Sequence, residues 1–338
     1  MNDIHSWSVT RVSEAIASGL SPVAVVEALL AHITHHDPSL NVFVHLDADG
    51  ALRAAREAET ELKRGLRRGP LHGVPIGVKD VIDVAPLPTT CHSALLVDNV
   101  PLRDAEVVRR LRQAGGIMLG KTSTHEFAIG GPSFDLPSPP ARNPWNRLHN
   151  PGGSSSGSAA GVAAGFFPLG LGTDTGGSVR HPAAACGVIG LKPTHGLISR
   201  DGVFPLSQSM DHVGLIARTV RDIAMSLTVV SGYDPNDPAS ENKTALPSDR
   251  ELDLGVRSLR IGFVRHFHER DVVCDDEVGA ALVSAVETFT SLGAIVEDVE
   301  LPPLTDFSAV HGTILYAESW SVHAHALRMR PEGYGREA

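Results

Sequence analysis

Two stretches rich in glycine and serine, PGGSSSGSAAG (151–161) and GTDTGGSVRHPAAACG (172–187), hold the residues best suited to covalent chemistry. In the second, Gly176 and Gly177 directly precede Ser178, so successive backbone N–H groups can point at one place beside a hydroxyl. That is what acyl transfer needs: a nucleophile, and donors for the negative charge that develops on the attacked carbonyl. Flexible linkers share this composition, but the residues between the two stretches are apolar and compact, which a linker is not. A serine hydroxyl is a poor nucleophile until a base removes its proton. His181, His195 and His212 lie nearby in sequence, and none has a spacing that singles it out. Lys79 is the stronger candidate. It closes the apolar run of GVPIGVKD (73–80), where burial would disfavour the ammonium and free the amine as a proton acceptor. The competing reading is an ordinary ion pair of Lys79 with Asp80 or Asp83.

Three other patterns lead elsewhere. GGIMLGKT (115–122) fits the phosphate-loop pattern G-x-x-x-x-G-K-[ST], yet a helix precedes it and Ile117, Met118 and Leu119 call for burial. Helix–turn–strand is the reading that fits. Gly153–Gly157 spells G-x-S-x-G around Ser155, but NPWNRLHNPG before it is no strand, as a nucleophile elbow requires. His32, His35 and His36 share a helix face without a nearby carboxylate, so no metal site is expected.

The elements that must hold these residues alternate between helix and short apolar strand. Residues 9–18 read as a helix stopped at Gly19, and a second helix starts with Ser21 as cap and Pro22 in its first turn. A strand is expected at 41–46, a charged amphipathic helix at 49–68 ending at Gly69, a strand at 73–80, a helix at 104–113, and an apolar IMLG segment after Gly115-Gly116. Residues 142–153 form a loop, and the small residues of 156–165 allow a helix that packs very close to its neighbours. A polar connector covers 232–254. LRIGFV, a helix at 276–292 and AIVEDVEL then make a βαβ-like unit, and 312–338 opens as a helix with no obvious closing element. The class is α/β.

Composition sets the outer limits. The 338 residues are 42% hydrophobic, enough for a sizeable core, and the net charge of −10 argues against a broad phosphate-binding surface. Three widely separated cysteines form no CxxC pair, which fits a reducing compartment. The N-terminus has no signal-peptide pattern, and the longest apolar run, 159–172, is too short to span a bilayer.

Taken together, GVPIGVKD, GKTSTHEFAIG, ARNPWN, PGGSSSGSAAGVAAG, LGTDTGGSVRHPAAACGVIGLKPTHG and ISRDG resemble the amidase signature family over most of residues 1–230, and more weakly to the end. The resemblance implies Ser178 as the nucleophile, Ser154 as a bridging serine after a cis peptide bond, and Lys79 as the neutral base acting through Ser154. It also implies an oxyanion hole from the N–H groups of Thr175, Gly176, Gly177 and Ser178. One departure from the family pattern is Ser156, which stands where a glycine is usual.

The implied fold is a twisted mixed β-sheet enclosed by α-helices (α/β/α), as a single domain over 1–338. Its signature core covers about 65–230 and its C-terminal part 257–338. The family domain runs further than residue 338, so the chain is expected to be C-terminally incomplete. The implied activity is cofactor-free hydrolysis of a small-molecule amide; composition and the N-terminus add a cytoplasmic setting, no direct nucleic-acid binding and no membrane attachment, and a homodimer is one assembly open to it. The alternative within the family is the glutaminase component of a tRNA-dependent amidotransferase, with its partner subunits. From another class, the alternative is a non-catalytic scaffold.

Overall fold

The structure is a computed structural model that describes residues 3–241 and 249–337. Its contacts divide the chain into two compact units, one of Met1–Pro247 with Ser319–Ala338, the other of Ser248–Glu318.

In the first unit the order is α1 (Val9–Ala17), α2 (Pro22–His36), β1 (Phe43–Leu46), α3 (Ala48–Lys63), β2 (Pro75–Lys79), α4 (Glu106–Gln113), β3 (Ile117–Thr122), α5 (Ser156–Ala164), β4 (Leu169–Asp174), α6 (Arg180–Cys186), β5 (Ile189–Leu191), β6 (His212–Ala217) and α7 (Val220–Val230). Six strands form one mixed sheet in the order β1-β3-β2-β4-β6-β5. The central β2 runs parallel to both β3 and β4, and the remaining pairs are antiparallel. Helices flank it: α3 and α4 pack on β3, α5 on β2 and β4, and α7 on β6. This is the mixed α/β arrangement expected from the sequence. In the second unit β7 (Arg260–Phe263) and β8 (Ile295–Asp298) pair in parallel, with α8 (Asp276–Ser291) between them in sequence. The helix α9 (Leu304–Met329) follows. The three cysteines are free thiols.

Local signals explain most boundaries. Gly19 has φ 104° just past α1, and the Ser21 side chain accepts from the Ala24 amide at 3.2 Å to cap α2. The helix expected to run to residue 68 ends earlier, because Gly65 takes φ 75°. The Leu66 and Gly65 amides then close on the carbonyls of Glu61 and Leu62, at 2.9 Å each. The apolar run 159–172 proves to be two elements: α5 stops at the left-handed Gly165, Phe166 and Phe167 turn into the core, and β4 begins. Hydrophobicity alone does not divide such a run. Of the polar connector expected at 232–254, residues 242–248 lie outside the described residues.

Phe167 shows why small residues are needed here. A Cβ on Gly77 of β2 would lie 2.3 Å from its ring, and one on Gly161 of α5 2.2 Å from it. The missing side chains let α5 settle directly on the centre of the sheet.

The GKT of GGIMLGKT lies in β3 and takes no part in a phosphate loop: Lys121 is fully buried and pairs with the equally buried Asp80 at 2.9 Å. It also donates to Thr89 Oγ1 (2.7 Å) and to the Pro88 carbonyl (3.2 Å). Asp80 in turn accepts from the amides of Thr90 and His92 and from the Thr90 hydroxyl, and so shapes the loop after β2. Asp80→Ala would leave an uncompensated buried ammonium, with an expected loss of about 3–5 kcal/mol of stability, measured by urea unfolding.

Candidate active site

Lys79 is the last residue of β2, a strand whose five residues are all buried. Its Nζ lies 2.7 Å from Ser154 Oγ and 2.7 Å from Thr173 Oγ1. Neither Asp80 nor Asp83 pairs with it, since Asp80 faces Lys121, and no carboxylate bridges Lys79 among the described residues. Burial therefore dominates its ionisation. The amine is pulled down from 10.5 to about 7, although Asp174 and Asp211 act in the opposite direction. A substantial neutral fraction at neutral pH is what a proton acceptor needs.

Ser154 is buried and follows a cis Gly153–Ser154 peptide, as the resemblance implied. Its carbonyl accepts from the His125 amide at 3.1 Å. The next residue, Ser155, stitches the two glycine-serine loops together. Its amide donates to the Ser178 carbonyl at 3.0 Å, and its Oγ donates to the Thr173 carbonyl and accepts from the Thr173 amide, both at 3.2 Å. Ser155 is thus a fully buried joint between α5 and β4, not the exposed serine of an elbow. Ser178 sits half-buried four residues past the end of β4, and its hydroxyl makes no hydrogen bond among the described residues.

The loop between β4 and α6 is organised by Asp174. Its carboxylate accepts from the amides of Gly177 (2.8 Å), Val179 (3.2 Å) and Arg180 (3.3 Å) and pairs with the Arg180 guanidinium at 2.8 and 3.0 Å. Burial opposes its charge, but Arg180 and the amides prevail, and the carboxyl stays below its ordinary range. Of the residues expected to form the oxyanion hole, Gly177 therefore commits its amide to Asp174. The amides of Gly176 and Ser178 make no hydrogen bond among the described residues. The Thr175 hydroxyl donates to Asp211 at 2.5 Å.

No histidine bonds to Ser178 among the described residues. His212 turns Nδ1 to the Met210 carbonyl at 2.6 Å and Nε2 to Lys192 at 3.3 Å. His125, which nothing in the sequence singles out, packs its ring against Gly153, where a Cβ would lie 2.2 Å from Nε2. Burial and the neighbouring Lys79 take its pKa down to about 4, so the ring is neutral. Thr173 is a second residue that sequence reasoning misses. Its one signal is a polar residue at the end of an apolar strand, five places before Ser178. A cavity of about 490 Å³ opens beside Thr173, walled by Phe204, Arg200, Asp211 and His212. Among the described residues no helix is long and apolar enough to cross a membrane.

Comparison with known proteins gives this arrangement a family. The model of the Amidase family matches residues 24–335. A glutamyl-tRNA(Gln) amidotransferase subunit from Chloroflexus aurantiacus is 42% identical over 309 residues, covering 89% of this chain and 62% of its own length. The chain thus spans somewhat under two thirds of such relatives. Among solved structures, one from a vestigial protein complex bearing on the origins of an s-triazine catabolic enzyme superposes with a TM-score of 0.92 at 34% identity, over 98% of this chain and 71% of that one. The peptide amidase of Stenotrophomonas maltophilia gives 0.84 at 35% identity, over 96% and 68%. The corresponding glutamyl-tRNA(Gln) amidotransferase subunit from Thermotoga maritima gives 0.82 at 31%, over 98% and 70%. With the family model spanning nearly its whole length, and with this sheet and these loops, the chain belongs to the amidase family.

Proposed function

We propose that the protein hydrolyses a carboxamide through an acyl-serine intermediate, with Ser178 as nucleophile, Ser154 as proton relay and Lys79 as base. The observation that carries this reading is a fully buried lysine, free of carboxylate partners among the described residues and 2.7 Å from a serine hydroxyl. In the proposed reaction Ser178 Oγ bonds to the amide carbon while its proton passes to Ser154 and the Ser154 proton passes to Lys79. The carbonyl oxygen gains negative charge facing the Gly176 and Ser178 amides, in a loop that Thr175 and Gly177 brace. The C–N bond then breaks, and the departing amine takes the proton back from Lys79 along the same path. Water, activated by the same base, releases the carboxylic acid and restores the Ser178 hydroxyl.

For the substrate, the sequence relatives favour the amide of glutamine, with the protein acting as the glutaminase component of a tRNA-dependent amidotransferase. Partner subunits and a cytoplasmic setting belong to this reading; a free-standing amidase acting on other small amides is the second one, supported by the peptide amidase fold. Ammonia release from glutamine is expected to rise at least about tenfold when partner subunits, tRNA and ATP are supplied. Equal or absent glutamine hydrolysis with and without them, alongside turnover of another amide, would decide for the free-standing enzyme.

A further inference from the structure

Asp211 stands directly before β6 and faces the cavity beside Thr173. It is buried, and both carboxylate oxygens are engaged: Oδ1 accepts from the Thr175 hydroxyl at 2.5 Å, and Oδ2 from the amides of Leu206 and Ser207 at 2.8 and 3.0 Å. No cation pairs with it among the described residues; Arg200, on the same cavity wall, is held by Asp237 at 3.0 Å. A buried carboxylate without a counter-ion is costly unless hydrogen bonds hold it, and here these three do. Asp211 thereby spans two segments distant in sequence, the stretch of Leu206 and Ser207 and the loop that carries Thr175, Gly176 and Ser178.

We propose that Asp211 is a positioning residue, which clamps Thr175 so that the neighbouring Gly176 and Ser178 amides keep their aim, and which supplies negative charge to the pocket of Lys79. The proposal rests on the catalytic roles given above to Lys79 and Ser178. The titratable groups coupled electrostatically to Lys79 are Asp174 at the end of β4, Asp211 directly before β6, Cys91 in the loop after β2 and His125 in the loop after β3. The hydroxyls of Ser154 and Thr173 touch it directly. Asp174 has Arg180 as its own counter-ion, at 2.8 Å. Asp174 is still the stronger of the two on the amine, and Asp211, with no counter-ion among the described residues, adds to it.

The test is the rate of labelling by a fluorophosphonate probe as a function of pH, for wild type, Asp211→Asn and Thr175→Val, with thermal melting as the check on folding. Asparagine keeps the shape and an oxygen for the Leu206 and Ser207 amides but removes the charge. Because Asp211 favours the ammonium form of Lys79, its loss makes the amine neutral at lower pH. The acid limb is expected to move to lower pH by about half to one unit, with the plateau reduced about tenfold. Thr175→Val keeps the carboxylate and breaks only the clamp, so the plateau should fall about tenfold with the limb unmoved. Should Asp211→Asn fail to fold, the threonine variant decides alone. A limb unmoved in Asp211→Asn, or a Thr175→Val plateau within about twofold of wild type, overturns the proposal. Wild-type protein that takes no label overturns the proposed function, and this proposal with it.

Discussion

Ser178→Ala is expected to take up no fluorophosphonate and to lose turnover by about 10⁴- to 10⁶-fold. The expectation follows from where hydroxyls and free amides meet. Three serines in a row, Ser154, Ser155 and Ser156, offer rival nucleophiles, but Ser155 and Ser156 are buried and spend their hydroxyls on the carbonyls of Thr173 and Ser123. Ser154 is engaged with Lys79. Ser178 alone of these is half exposed, unengaged among the described residues, and beside amides left free by the Asp174 turn. The matching control is Ser155→Ala, which should still take the label while melting at lower temperature, because it removes the joint between α5 and β4. A labelled Ser178→Ala protein would remove the nucleophile from the mechanism. Mass spectrometry of the adduct reads the outcome directly.

Lys79→Met should lower the labelling rate by about 10³-fold or more, and it should also erase the acid limb. In the wild type the base must be neutral. With the amine near 7, labelling should fall tenfold for each pH unit below that point and level off above it. Methionine fills a similar volume in the strand and cannot titrate, so whatever rate remains should vary little with pH over that range. The sign matters. A carboxylate base, or His125 with its ring near 4, would give an acid limb well below 7. A Lys79→Met protein labelled within tenfold of wild type, with its limb intact, would assign the base elsewhere.

Much of this site is readable in the sequence, for a physical reason: the loops that come close to a substrate need glycine, and runs such as PGGSSSGSAAG stand out against apolar neighbours. Lys79 is visible there as a charge at the end of a greasy strand, and burial already argues for a neutral amine, but the choice against an ion pair with Asp80 is not visible. That depends on Asp80 being claimed by Lys121, a partner on the adjacent strand β3 that only the sheet register brings near. The same pairing explains the false phosphate loop, since GKT supplies a buried cation to the scaffold. Thr173 and Asp211 stay hidden because their meaning is positional. One becomes a partner of the lysine only when β4 lies beside β2, and the other reaches Thr175 only when β6 lies beside β4. The strand β4 is itself concealed in a long apolar run, where Gly165 and Pro168 mark the break.

The slot around Phe167 bears on how this family can drift. One aromatic ring is received by a hole cut in a strand and a second hole cut in a helix, so neither glycine can acquire a side chain unless the ring shrinks as well. In a saturation library Gly77 and Gly161 should tolerate almost nothing, although neither takes part in any reaction. Their intolerance should ease together in a background carrying a smaller residue at 167. Intolerance in such a map marks steric crowding as readily as chemistry, and the compensated background tells the two apart.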